Sequence, residues 1–183
     1  MDPKFEEAIF WFAACTLKKI KPASMFSCKR KDYNNLDDSI KYYQELLLQY
    51  DLKLEIIQDR GPFVLLYLYR PIHLETVWKR NEVAEFLTTR GYSNNIESNL
   101  VILKEKLQKN SFPHDIGIFL GYDVDDVKSF IEHEGKNYKL IGPWKVYHKE
   151  ENKQKLFSMF SRCTDNCLEL FYSGHDLCSV MQN

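Results

Sequence analysis

The residues best suited to chemistry fall into three sets. The first is His114-Asp115, directly after Pro113. Proline suits the first position of a helix, which places His114 second and Asp115 in the first turn. A helix start offers free N–H groups to an anion and disfavours an imidazolium, so His114 is expected neutral and able to accept a proton. In that setting His114 reads as an acid/base group with Asp115 beside it. The competing reading is a capping carboxylate next to a packed histidine.

The second set is cationic. Lys21, Arg70 and Lys145 each stand beside proline or aromatic residues. On a strand, Lys145 and Tyr147 would share one face. Such a pair can hold a phosphate or carboxylate, and Arg70 at a strand end can add a bidentate clamp. Lys21, Arg70, His114, Asp115, Lys145 and Tyr147 together define an expected pocket for a small anionic or aromatic ligand. Solvated cations lying over apolar surface are the competing reading.

The third set is the five cysteines. Cys15 and Cys163 fit helical flanks, where free thiols usually pack as small apolar groups. Cys163, Cys167, His175 and Cys178 are ligand types for zinc, but their spacing lacks a C-x2-C knuckle, so no metal site is expected. A thiol or metal redox role through Cys15, Cys163 or the C-terminal Cys/His set is an alternative function. A non-catalytic interaction module, meeting a protein partner through exposed aromatics, is another. No Walker loop, GxGxxG, GxSxG or HExxH is present, so no cofactor is named and enzymatic activity is left open.

The balance of 25 basic against 26 acidic side chains argues against nucleic acid or an anionic membrane surface as partner. Residues 116–135 have a helix–turn–helix look, but only Lys128 offsets its acidic groups, which would repel phosphates. No apolar run approaches the ~20 residues that span a bilayer. The run before Cys15 is flanked by Asp2, Glu6 and Glu7, opposite in sign to a signal's charged region. With no disulfide pattern, a cytoplasmic protein is expected. A chain of 183 residues with 44% hydrophobic content can bury a full core.

The positioning elements follow from periodicity. Helices are expected over 4–20, 37–50, 73–79 and 82–89, with Asn81 as a cap between the last two. Another starts at Asn94 or Asn95 and runs to Lys109, a short one opens at residues 112–115, and further helices span 123–135 and 150–163. Residues 24–28 read as extended and 52–58 as a strand. Phe63–Tyr69, apolar on both faces, reads as the central strand, paired with 52–58 as a hairpin. A strand over 138–147 is broken at Gly142-Pro143, and short strands over 168–172 and 177–181 flank a turn at Ser173-Gly174-His175. The result is an α+β fold with a small, mainly antiparallel sheet and packed helices. It is read as one domain over 1–163 with an extension over 164–183.

The block from Phe112 to Tyr122, FPHDIGIFLGY, is followed by Asp125-Asp126-Val127, Gly135-Lys136-Asn137-Tyr138 and Trp144-Lys145-Val146-Tyr147. With Cys15-Thr16-Leu17, Lys21-Pro22-Ala23, Tyr69-Arg70-Pro71, Gly91-Tyr92 and Cys163, it resembles a bacterial family, the domain of unknown function 3793 family, over residues 5–163. Asp115 and Asp123 stand where that family more often has Glu and Pro. The resemblance implies a compact intracellular protein and names no activity.

Overall fold

In a computed structural model describing residues 2–109 and 113–182, the chain forms two compact units. The first holds residues 1–73 and 162–183, the second 74–161. Phe112, expected to help open a helix, lies outside the described residues.

The first unit begins with α1 (Pro3–Leu17), capped by the Asp2 carboxylate, which accepts from the Lys4 N–H. The helix stops three residues short of the expected end. Lys19 turns left-handed at φ 61°, and the Ile20 and Lys21 N–H groups both donate back to the Cys15 carbonyl. Strand β1 (Ala23–Lys29), α2 (Leu36–Leu48), β2 (Lys53–Asp59) and β3 (Phe63–Tyr69) follow. The sheet order is β1-β3-β2, with β3 antiparallel to both neighbours and a bulge in β2 between Ile56 and Gln58. Phe63 at the start of β3 is exposed, whereas Leu66 to Tyr69 are buried on both faces, as a central strand requires. Helix α1 packs on β1 and β3, and α2 packs on β2.

The second unit takes most of α3 (Pro71–Trp78), then α4 (Asn81–Thr89), α5 (Ile96–Gln108), α6 (Ile116–Phe119) and α7 (Val124–Glu132). Asn81 is the first residue of α4 and not its cap; Arg80 holds the cap position without a side-chain bond. Asn95 caps α5 by accepting from the Ser98 N–H at 2.8 Å, and Asp123 caps α7. The expected interrupted strand is a minimal hairpin, β4 (Leu140–Ile141) against β5 (Lys145–Val146), reversing at Gly142-Pro143.

Helix α8 (Glu150–Tyr172) leads back into the first unit and runs without a break through residues 163 and 164. The two C-terminal strands expected from the sequence are helical: 168–172 ends α8, and 177–181 lies in α9 (Leu177–Gln182). Cys163, Cys167, Leu168 and Phe171 recur at helical spacing, and the Ser173-Gly174 turn joins two helices, with Gly174 left-handed at φ 91°.

Candidate functional site

The residues singled out for chemistry divide between the units. Lys21, Arg70 and the cysteines are in the first, and His114, Asp115, Lys145 and Tyr147 in the second.

In the second unit His114 and Asp115 form a turn ahead of the four-residue α6. His114 is therefore not a helical residue, and the N–H groups of the first three residues of α6 are occupied. Ile116, Gly117 and Ile118 donate to the carbonyls of Pro113, His114 and Asp115. Asp115 sits at the cap position but has helical torsions and makes no capping bond. Its buried carboxylate pairs with Lys106 at 2.8 Å, and that ammonium also lies over the Tyr92 ring. The His114 ring packs on Phe130, centroids 5.0 Å apart. Lys145 Nζ reaches the same ring from 5.6 Å while donating to the Gly135 carbonyl, so His114 and Lys145 meet through Phe130. Tyr147 lies beyond β5 and so does not share a strand face with Lys145; its ring packs on His133, and its buried hydroxyl has no hydrogen-bond partner among the described residues. Gly117, expected to leave room for a ligand, is covered by Trp144: an added Cβ would lie 2.8 Å from that ring and 2.6 Å from Val127.

The first unit is arranged differently. Arg70 follows β3 and is 4% exposed. Its guanidinium donates to the carbonyls of Thr16, Leu17 and Tyr50 at 2.8–2.9 Å, covering the C-terminal end of α1 and the turn after α2. It makes no ion pair among the described residues, and burial lowers its pKa against the opposing charge of Asp51. Arg70 lines a cavity of about 400 Å³ together with Lys18, Lys19, Tyr50, Asp51 and Val180, among others. Lys18 Nζ donates to the Val180 carbonyl, tying α9 to this wall. Lys19 and Asp51 on its rim both hold left-handed torsions.

Three thiols of this unit influence one another's protonation. Cys15, in the last turn of α1, is 7% exposed; Cys163 and Cys167, one turn apart on α8, are 9% and 1% exposed. The Cys163 thiol, opposed by burial and helped by the Lys21 charge, holds Cys15 below the ordinary thiol range. Interaction with Cys15 pushes Cys163 up to about 11, and Cys167 is raised by interaction with Cys163 and by burial. Burial lowers Lys21 to about 8, with the Cys15 charge acting the other way.

The model of the family described as "Protein of unknown function (DUF3793)" matches residues 9–181. This chain is a DUF3793 protein. The match takes in the C-terminal segment that the expected resemblance, ending at residue 163, left out. No curated protein and no solved structure matches it.

Among the described residues of the DUF3793 chain, no three His, Cys, Asp or Glu side chains gather as a metal site. Of the four C-terminal ligand types, Cys163 and Cys167 are buried, His175 is exposed beside the Leu170 carbonyl, and Cys178 is half-buried. Nor is any described helix long and apolar enough to cross a membrane. Sequence reasoning did not single out Lys18, Lys19 or Asp51. Alone in a sequence they read as solvated charges, and only the fold shows that they border one hollow with Arg70.

Proposed function

We propose that the DUF3793 protein binds a small anionic ligand in the cavity beside Arg70. The supporting observation is charge. A buried guanidinium without an ion pair stands with Lys18 and Lys19 around one hollow whose lining includes one carboxylate, Asp51. Buried charge is costly unless matched by an opposite charge or fully hydrogen-bonded. Three of the five guanidinium N–H groups are used on carbonyls, which leaves two for an incoming oxyanion. Those same bonds mask the negative helix-end carbonyls that would otherwise repel an anion. The volume, about 400 Å³, lies in the range of small-molecule sites. The reading carries with it a cytoplasmic location, where small phosphorylated and carboxylated compounds are abundant.

Calorimetric titration with inorganic phosphate and with citrate tests the proposal. Saturable binding of at least one is expected. It should weaken about tenfold or more in the double variant Lys18→Gln/Lys19→Asn, since one lost charged contact is worth about 1.4 kcal/mol. Asparagine tolerates the left-handed torsion at residue 19, so the fold should hold. No binding at millimolar anion, or unchanged affinity in the double variant, would overturn the proposal.

A further inference from the structure

We infer, building on the Arg70 cavity as an anion site, that its ligand is zwitterionic: an oxyanion joined through a short carbon spacer to an ammonium group. The cavity lies where two helices end. Leu17, Lys18 and Lys19 line it from the end of α1, and Tyr50 and Asp51 from just after α2. The carboxyl end of a helix carries a partial negative charge and favours a cation. Arg70 offsets that charge at the three carbonyls it holds. Asp51 then adds a carboxylate to the same hollow; it is exposed, and its side chain makes no hydrogen bond or ion pair among the described residues. A plain anion is drawn in by the three cations and pushed back by Asp51. An ammonium group on the same ligand turns that repulsion into attraction.

The opposite charges on the rim are not used up on each other. Among the described residues neither Lys18 nor Lys19 forms an ion pair with Asp51. Lys18 Nζ gives one of its three N–H groups to the Val180 carbonyl, and the other two remain for an oxyanion. Lys19 and Asp51 hold left-handed torsions, φ 61° and 57°, which residues other than glycine seldom adopt. Each stands in the turn that ends its own helix, so cation and carboxylate come to one hollow from separate elements. Leu17, Val180 and Met181 supply apolar lining for a carbon spacer. The volume of about 400 Å³ is larger than inorganic phosphate fills, which leaves room for the rest of such a molecule. Two sources share this chemistry, the phosphate ester of an amino alcohol and a free amino acid.

The test titrates the full chain calorimetrically with two matched pairs of probes, O-phosphoethanolamine against propyl phosphate and β-alanine against butyrate. Within each pair a methyl group replaces the ammonium. At about pH 8 both phosphates are doubly ionised, since their second proton leaves near pH 6. In at least one pair the ammonium probe should bind at least about threefold more tightly. A preference in the phosphate pair alone assigns an amino-alcohol phosphate, and one in the carboxylate pair alone an amino acid. Asp51→Asn keeps the shape and tolerates the left-handed torsion. It should abolish the preference while propyl phosphate and butyrate bind no more weakly than before. Lys18→Gln/Lys19→Asn should instead weaken both members of a pair alike. Equal affinity within every pair that binds, or a preference that survives Asp51→Asn, would overturn the inference and leave the anion site standing. Failure of all four probes at millimolar concentration would also overturn it, and the anion site falls as well only if phosphate and citrate fail too. The paired comparison is made on the unaltered protein, so it decides the matter even if a variant misfolds.

Discussion

In the first unit a guanidinium is buried against neutral carbonyls and two lysines border the same hollow. In the second unit two of the charged groups that drew attention in the sequence are engaged by the protein itself. Asp115 pairs with Lys106, Lys145 donates to Gly135, and Trp144 fills the space at Gly117. Both regions contain cations, carboxylates and aromatics, so residue type does not separate them. The separation comes from how fully local partners satisfy each charge. A charge matched at short range by its own fold has little left to offer a ligand, whereas a buried charge matched only by dipoles retains most of its field.

Arg70→Met is the most severe test of this contrast. It strips donors from three carbonyls, two of them at the end of α1; Thr16 still accepts from the Lys19 N–H, so two are orphaned and the cost in chemical denaturation should be about 2–6 kcal/mol, at about 1–3 per orphaned group. A loss below about 1 kcal/mol would mean that water replaces the guanidinium easily, and the charge would then be no tighter held than those of the second unit. Leu66→Ala gives the apolar reference within the same unit. Leu66 is fully covered on β3, so its truncation should cost about 2–5 kcal/mol with no dependence on added phosphate.

For the second unit the matching substitution is Gly117→Ala. The added methyl would meet Val127 and Trp144 inside ordinary contact distance, and overpacking of this kind costs about 1–3 kcal/mol. Thermal melts should show the loss. An unchanged melting temperature would mean that the Trp144 ring moves aside readily, reopening Gly117 as a place where a ligand could approach.

The contrast itself was only partly legible in the sequence. Phe63–Tyr69 announced a central strand because seven apolar, β-favouring residues leave no face for water, and its neighbours on both sides bear that out. The C-terminal segment misled because Leu168 to Tyr172 is too short and apolar to show its period unless Cys163 and Cys167 are read with it. Pro113-His114-Asp115 carried the right signals for a helix start, yet α6 has one turn and its N–H groups close on the residues just before them. The Arg70 cavity and the thiol set were less visible. Cys15 and Cys163 are 148 positions apart, and no local pattern says that the two thiols influence each other's protonation.

His114→Ala should show the smallest effect and is the sharpest discriminator between the two regions. Its ring contributes one aromatic contact, with Phe130, worth about 0.5–1.5 kcal/mol when aromatic geometry is good. The expected stability loss is therefore about 1 kcal/mol, seen as a shift of a few degrees in the melting temperature. Phosphate and citrate affinity should stay within about twofold of the parent protein, because one lost hydrogen bond to an anion would cost tenfold or so. If affinity instead falls tenfold while the melting temperature holds, the anion is bound by the second unit's histidine. The arrangement around Phe130, with Lys145 as its cation, would then be the site, and the charges around Arg70 would be a means of closing two turns.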